Sequence, residues 1–188
     1  AILLEAGVPP GVVQLLPGRG ETVGAQLTGD DRVRGVMFTG STEVATLLQR
    51  NIASRLDAQG RPIPLIAETG GMNAMIVDSS ALTEQVVVDV LASAFDSAGQ
   101  RCSALRVLCL QDEIADHTLK MLRGAMAECR MGNPGRLTTD IGPVIDSEAK
   151  ANIERHIQTM RSKGRPVFQA VRENSEDARE WQSGTFVA

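Results

Sequence analysis

One cysteine in residues 95–104, FDSAGQRCSA, has the surroundings expected of a nucleophile. Cys102 follows a glycine, a glutamine and Arg101, and it precedes Ser103. A positive charge near a thiol favours the thiolate, which is the nucleophilic form of cysteine. The alternative interpretation is a small buried side chain without chemistry. Cys102 is therefore the first candidate for covalent catalysis, and this stretch by itself leaves both interpretations open.

The flanking segments predict a turn at Cys102. Residues 83–98 carry apolar side chains at helical spacing, and Gly99 ends that pattern as a C-cap glycine would. Residues 106–110 form a strand-like run. A loop between two rigid elements is a common place for a catalytic group. We therefore expect Cys102 on a turn, partly exposed.

A second candidate site is the run FTGST at residues 38–42. A predicted strand, 35–39, leads directly into Gly40, and a helix is predicted to begin there. Free N–H groups and the positive end of the helix dipole can bind a phosphate. An earlier cluster, GRGETVG at 18–24, matches GxGxxxG, one residue longer than the usual dinucleotide fingerprint. Either glycine cluster could equally be an ordinary turn after a strand.

A third candidate is Glu68, which ends a predicted buried strand, 64–68 (PLIAE), and begins the run ETGG. Ligands bind at the carboxyl ends of parallel strands, and a carboxylate there can act as a general base. An ordinary turn residue is the alternative.

Cys109 lies in the strand-like run LRVLCL, and Cys129 completes an apolar helical stripe with Ala115, Leu119, Leu122 and Met126. We predict that both of these cysteines belong to the core.

The composition narrows the class of protein. A formal net charge of −4 gives no indication of a nucleic-acid partner, and no apolar run approaches the roughly 20 residues of a membrane span. The three cysteines have no CxxC spacing, and the two histidines have no supporting motif, so no metal site is predicted. These features predict a reducing, cytoplasmic compartment.

Alternating strand and helix signals along the chain predict a parallel α/β sheet. The opening AILLEAG reads as the end of a helix closed by Gly7, and the closing GTFVA reads as a strand. We therefore expect an internal piece of a longer polypeptide. Further strands are predicted at 10–16, 74–77 and 106–110. Further helices are predicted at 21–27, from Gly40 to about 57, from an N-cap at Asp112, and from Asp146, and an exposed loop is predicted at 172–180.

The motifs FTGST, ETGG and GQRCSA, in this order, resemble the aldehyde dehydrogenase superfamily. The spacing from Glu68 to Cys102 fits that family, as do LLPGRG, MGNP, IGPVID and GTFVA. Within the superfamily, ETGGMNAMIVDSSAL and GQRCSALRVL most resemble the L-glutamate γ-semialdehyde (1-pyrroline-5-carboxylate) dehydrogenase module of bifunctional bacterial proline-utilization proteins. Met72 departs from the polar or basic residue usual in relatives, and Ala45 from a glycine.

The resemblance implies an NAD-binding, Rossmann-like half at 1–71 and the first part of a catalytic domain at 72–188. Cys102 would be the nucleophile and Glu68 the base that hydrolyses the thioester. Ser103 and Arg101 would contact the substrate. NAD would contact Gly20, Phe38, Thr39, Gly40, Ser41, Val44, Thr69 and Gly70.

The resemblance also implies partners for the full-length protein. These are a small aldehyde substrate, further copies of the protein in a homo-oligomer, and a proline dehydrogenase domain in the same polypeptide. Two alternatives stay open: a non-catalytic fragment of such an enzyme, and an aldehyde dehydrogenase of another substrate class.

The 188-residue chain by itself is expected to bind NAD⁺ weakly and to form almost no NADH with glutamate γ-semialdehyde. The resemblance places one oxyanion donor and the ribose ligands in other segments, and loss of one such donor costs about 10²–10³ in rate. An unpaired edge strand should also cause self-association. Activity assays and sedimentation test this; a monodisperse monomer within tenfold of a full-length homologue would contradict it.

Overall fold

The computed structural model describes residues 1–169 and 184–187, so the predicted loop at 172–180 lies outside the described residues. The chain divides into two compact units, one formed by Ala1–Gly70 and a second that begins at Gly71. The helices are α1 (Ile2–Glu5), α2 (Ala25–Gly29), α3 (Thr42–Ala53), α4 (Thr83–Phe95), α5 (Asp112–Glu128) and α6 (Ser147–Ser162). The strands are β1 (Val36–Thr39), β2 (Leu65–Glu68), β3 (Asn73–Val77) and β4 (Leu105–Leu110).

The first unit contains a parallel pair of strands. β1 lies beside β2 in a register that runs from Val36 opposite Leu65 to Thr39 opposite Glu68. Because the strands are parallel, their carboxyl ends lie at the same edge. The Gly40 N–H donates to the Glu68 carbonyl oxygen at 3.1 Å and continues the pairing beyond β1. The predicted strands 35–39 and 64–68 are therefore confirmed, while the predicted helix between them ends at Ala53 and not near residue 57.

The second unit contains the other parallel pair, β3 and β4. One face of this sheet packs on α4, around a core cluster of Val77, Val86, Val90 and Leu105. Ile114 and Leu122 of α5 pack against the same cluster. Burying these side chains supplies the main stabilisation of the unit, at about 25 cal/mol per Å² of apolar surface. The predicted parallel α/β fold is confirmed.

Two predicted strands are absent from the described residues. Residues 10–16 form turns, and their apolar side chains are exposed, with Leu15 at 88%. Gly11 has a φ of +85°, a left-handed conformation that interrupts an extended strand. Residues 184–187, also predicted as strand, begin with a turn, and the Thr185 carbonyl accepts from the Val144 N–H at 3.0 Å. A short apolar run becomes a strand only where a partner supplies the ladder.

Two predicted helix boundaries are wrong. α4 ends at Phe95, so Gly99 is not its C-cap; instead Ser97, Ala98 and Gly99 all have positive φ values, of 56°, 53° and 67°. A Cβ at Gly99 would lie 2.7 Å from the Ala94 carbonyl oxygen, because the chain folds back against the helix end. At α5, Gln111 is the N-cap, and the predicted cap Asp112 is the first helical residue.

The predicted α5 stripe and the predicted burial of Cys109 need correction. Thr118, 1% exposed, occupies the buried helical position, whereas Leu119 is 38% exposed. Cys109 is exposed. Leu108 and Leu110 pack against the core, and alternate strand residues point to opposite faces. Cys109 therefore lies on the other face of the sheet.

Thr118→Val should raise the free energy of unfolding by about 1 kcal/mol, because a buried hydroxyl without a hydrogen bond is costly. Among the described residues the Thr118 hydroxyl has no hydrogen-bond partner. Urea denaturation followed by circular dichroism measures the change. Thr159→Val is the matched control, because the Thr159 hydroxyl donates to the Arg155 carbonyl at 2.8 Å on α6. Equal effects of the two substitutions would contradict the assignment.

Candidate active site

Cys102 lies on a β-turn between α4 and β4. The Ala104 N–H donates to the Arg101 carbonyl at 3.2 Å, which closes the turn around Cys102 and Ser103. The Cys102 side chain is exposed, whereas Ala104 is completely buried. The predicted position of the thiol, exposed on a turn beside a rigid strand, agrees with this geometry.

Side chains from three other positions restrain this turn. The Asn73 amide nitrogen donates to the Cys102 carbonyl at 2.7 Å and to the Ala104 carbonyl at 3.0 Å. The Arg106 guanidinium donates to the Gly99 carbonyl at 2.7 Å and to the Arg101 carbonyl at 3.4 Å. The side chain of Gln100, which precedes the turn, accepts from the Ile145 N–H at 2.7 Å through its Oε1. Asn73 and Arg106 therefore hold the turn through its backbone carbonyls, and Gln100 joins the residue before it to the segment at Ile145.

The backbone N–H groups of Cys102 and Ser103 have no hydrogen-bond partner within the described part of the chain. A thiolate that adds to a carbonyl carbon places negative charge on the carbonyl oxygen. Backbone N–H donors that are free before the reaction can stabilise that charge without reorganisation. The turn thus combines an exposed thiol with free backbone N–H donors, and these are the groups that nucleophilic attack on a carbonyl requires.

Arg101, predicted to contact the substrate, interacts with the end of α4. Its guanidinium donates to the Ala92 carbonyl at 2.8 Å and the Ser93 carbonyl at 3.2 Å, both in the last turn of α4. A cation there satisfies free carbonyls and interacts favourably with the helix dipole. Arg101 therefore caps a helix through its side chain, while Ser103 lies exposed at the turn next to Cys102.

The other two cysteines lie in different environments. Cys129 is half-buried, and burial, with a smaller contribution from the Asp140 carboxylate, raises the pKa of its thiol. Cys129 also lines a largely apolar cavity of about 340 Å³, together with Phe95 and Met131, and Cys102 does not line it. The exposed Cys109 is a residue of β4. Of the three, only Cys102 lies on a turn with open backbone donors.

Glu68 is exposed at the carboxyl end of β2, opposite Thr39 of β1. The strand before it was expected to be buried, but three of its four residues are exposed. Within the described residues this sheet has two strands, so much of β2 is uncovered. An exposed carboxylate is accessible to water and to a bound ligand.

The beginning of α3 has donors suited to a phosphate. Ser41 is the N-cap, and its Oγ accepts from the Val44 N–H at 3.2 Å. Glu43, in the first turn of α3, places a carboxylate at this positive helix end. Hydrogen bonds from the Glu43 backbone N–H and from the Ser41 hydroxyl lower the pKa of that carboxyl. A Cβ at Gly40 would lie 2.4 Å from the Phe38 ring, so packing of that ring explains the glycine. The Ser41 hydroxyl and the dipole of a 12-residue helix fit a phosphate, for which Glu43 is a competitor.

The structure brings most of the predicted cofactor residues to one edge of the first unit. β1, β2 and the start of α3 meet there through the Gly40 to Glu68 hydrogen bond. That edge includes Phe38, Thr39, Gly40, Ser41, Val44, Thr69 and Gly70. Gly20 begins a π-helical turn, Gly20–Gly24, and among the described residues no atom lies within 4 Å of a Cβ built there, so this contact does not assign Gly20 to that edge.

Two residues that restrain the turn were not identified from the sequence. Asn73 opens β3, and Arg106 is the second residue of β4. The available signal was a polar side chain at the start of each apolar strand, which is also common at ordinary strand ends. Neither residue was distinguishable without knowing which carbonyls lie across from it.

Two further findings concern only the described residues. No group of three or more His, Cys, Asp or Glu side chains there could hold a metal ion. No helix there combines the length and the apolar character that crossing a membrane requires.

Comparisons with known proteins place these residues in a family. A sequence model of the aldehyde dehydrogenase family matches residues 1–187. The bifunctional protein PutA of Salmonella typhimurium strain LT2 is 95% identical over 187 residues, which are 100% of this chain and 14% of that protein. A 1-pyrroline-5-carboxylate dehydrogenase of Bacillus cereus strain B4264 is 35% identical over 164 residues, 87% of this chain and 32% of that protein.

A solved structure shows the same arrangement of elements. The 1-pyrroline-5-carboxylate dehydrogenase from Thermus, crystallised with bound NAD, matches with a TM-score of 0.80 and 34% identity over 94% of this chain and 34% of that one. The chain therefore spans a small part of each relative. The family match extends over nearly every residue and includes both the Cys102 turn and the β1–β2 edge, and on this basis the chain belongs to the aldehyde dehydrogenase family.

Proposed function

We propose that this chain carries the nucleophile of an NAD-dependent enzyme that oxidises L-glutamate γ-semialdehyde to L-glutamate in proline catabolism. The observation that carries the proposal is the exposed Cys102 thiol on a restrained turn with open N–H donors. The names of the similar proteins support the substrate: two are 1-pyrroline-5-carboxylate dehydrogenases, and PutA is described as bifunctional. We propose proline dehydrogenase as the second activity of the whole polypeptide.

The first step in this proposal is addition of Cys102. The thiolate sulfur forms a bond to the aldehyde carbon, and the carbonyl oxygen becomes a hemithioacetal oxyanion. The free Cys102 N–H is one donor to that oxygen. Ser103 is the stronger candidate for contacting the substrate carboxylate, because the Arg101 guanidinium is hydrogen-bonded to α4.

NAD⁺, when bound, would supply the hydride acceptor that the oxidation of the hemithioacetal carbon requires. The Ser41 hydroxyl and the N-terminus of α3 would bind its pyrophosphate. Thr39, Thr69 and Gly70, at the same edge, would contact the rest of the cofactor. The negative Glu43 would limit affinity, and the Ser41 hydroxyl would exchange a bond to Glu43 for one to phosphate.

Glu68 acts in the last step of the proposal. Its carboxylate accepts a proton from water as the water oxygen attacks the thioester carbon. The carbon–sulfur bond then breaks, which releases the carboxylate product and regenerates Cys102. Its exposure supports this role, since a base for hydrolysis must be reached by water.

Cys102 should be the cysteine whose alkylation inactivates the full-length enzyme. Iodoacetamide at pH 7, followed by peptide mapping, should label Cys102 and leave Cys129 slowest, because a raised pKa lowers the thiolate fraction of Cys129. Aldehyde substrate should protect Cys102 and not the exposed Cys109. Cys109→Ser is the control and should keep full activity. Inactivation that tracks labelling of Cys109 or Cys129 would show the assignment to be wrong.

In the same enzyme, Glu68→Gln should leave the first turnover and slow the later ones. The glutamine cannot accept a proton, so the thioester should accumulate while Cys102 still adds to the aldehyde. Stopped-flow absorbance should show a burst of NADH and then a steady rate lower by about 10²–10⁴, the usual contribution of a general base. Glu113→Gln, at an exposed carboxylate in the first turn of α5, provides a control of equal charge change and should leave the steady rate unchanged. Loss of the burst would mean that Glu68 activates Cys102 instead.

A further inference from the structure

Asn73 connects the first residue of β3 to a turn 29 positions later. It stands opposite Leu105, and the register is irregular between Asn73 and Ala74, so the regular ladder ends here. The side-chain amide of Asn73 makes further hydrogen bonds to the neighbouring segment. Its two acceptors, the carbonyls of Cys102 and Ala104, lie on either side of Ser103.

This pair of bonds needs a particular side chain. A primary amide has two N–H donors on one nitrogen and can serve two carbonyls at once. Aspartate has the same shape and no donor, and serine has one donor. The space is also limited, since a Cβ on Gly71 would lie 3.3 Å from both the Cys102 carbonyl oxygen and Asn73 Oδ1. The asparagine and its glycine neighbour therefore fit the turn closely.

The bonds act on the peptide planes next to the nucleophile. Asn73 fixes the peptide that follows Cys102, through its carbonyl oxygen. Arg106 contacts the carbonyl of the preceding peptide, whose N–H is the open donor of Cys102. With both planes restrained, φ and ψ of Cys102 are defined, and so is the direction of its Cα–Cβ bond. The thiol and the N–H then keep a fixed relation to each other.

We propose that Asn73 is a positioning residue for the nucleophile, which it orients through the Cys102 carbonyl without touching substrate. This inference rests on the proposed function of Cys102. Attack on a carbonyl requires near-attack geometry, and a displacement of about 1 Å can cost about 10²-fold in rate. Asn73 therefore contributes to the rate of acylation, with little effect on cofactor affinity.

The test compares Asn73→Asp with wild type in the full-length enzyme. The carboxylate would face two carbonyl oxygens, so the turn should move, and the NADH burst rate should fall by about 10²-fold. KM for NAD⁺ should stay within about threefold while the burst rate falls, a split between acylation rate and cofactor affinity that a general loss of structure would not produce. Asn152→Asp is the matched control, an exposed asparagine on α6 whose Oδ1 accepts from Arg155.

A second variant and one reference variant complete the experiment. Asn73→Ser keeps one donor and adds no charge, so its burst rate should lie between those of wild type and Asn73→Asp. A folded Asn73→Asp or Asn73→Ser enzyme with a wild-type burst rate would overturn the inference. Failure of both variants to fold would also count against it, because stability would then be the role of Asn73. Cys102→Ala separates the two ideas, since activity retained by that variant would refute the proposed function itself.

Discussion

The hydrogen bonds from the Asn73 amide are the constraint on which the geometry of the candidate nucleophile depends. Each such bond contributes only about 0.5–1.5 kcal/mol net to stability. Their importance is geometric, because they join the start of β3 to the turn between α4 and β4. Beneath the turn, Ala104 and Leu105 are buried, so the turn rests on a packed core. An exposed thiol can therefore be well positioned on a rigid base.

The segment that leads from α4 into the same turn is held by hydrogen bonds from arginine side chains to backbone carbonyls. α4 stops at Phe95, and its final carbonyls need donors. Arg101 supplies them from the first position of the turn, while Arg106 satisfies the carbonyl of Gly99, the last residue of the left-handed segment. Non-glycine residues with positive φ are energetically costly, and such strain persists where surrounding contacts determine the backbone. Two arginines that look alike in the sequence thus have separate structural tasks.

In the first unit, the parallel pairing of β1 with β2 brings two candidate motifs together. The two motifs FTGST and ETGG are separate in the chain, and the register of β1 on β2 brings Thr39 opposite Glu68. One backbone hydrogen bond, from Gly40 to Glu68, then joins the start of α3 to the end of β2. A helix N-terminus, a hydroxyl and a carboxylate consequently share one edge. That arrangement combines a candidate anion site with an acidic group, and Glu43 adds a second acid to it.

The sequence alone determined the parallel α/β class, the strands at β1 to β4 and the exposed position of Cys102, because apolar periodicity and glycine turns are local signals. The same signals wrongly predicted a strand at 10–16 and a buried Cys109, since ladder partners and the covered face of a sheet are not local properties. Only the tertiary structure showed that Arg101 binds helix carbonyls, that Glu68 is exposed, and that the Asn73 amide donates to two carbonyls of the Cys102 turn. Each of these depends on which backbone groups approach from distant segments, and no pattern of residue types along the chain contains that distance.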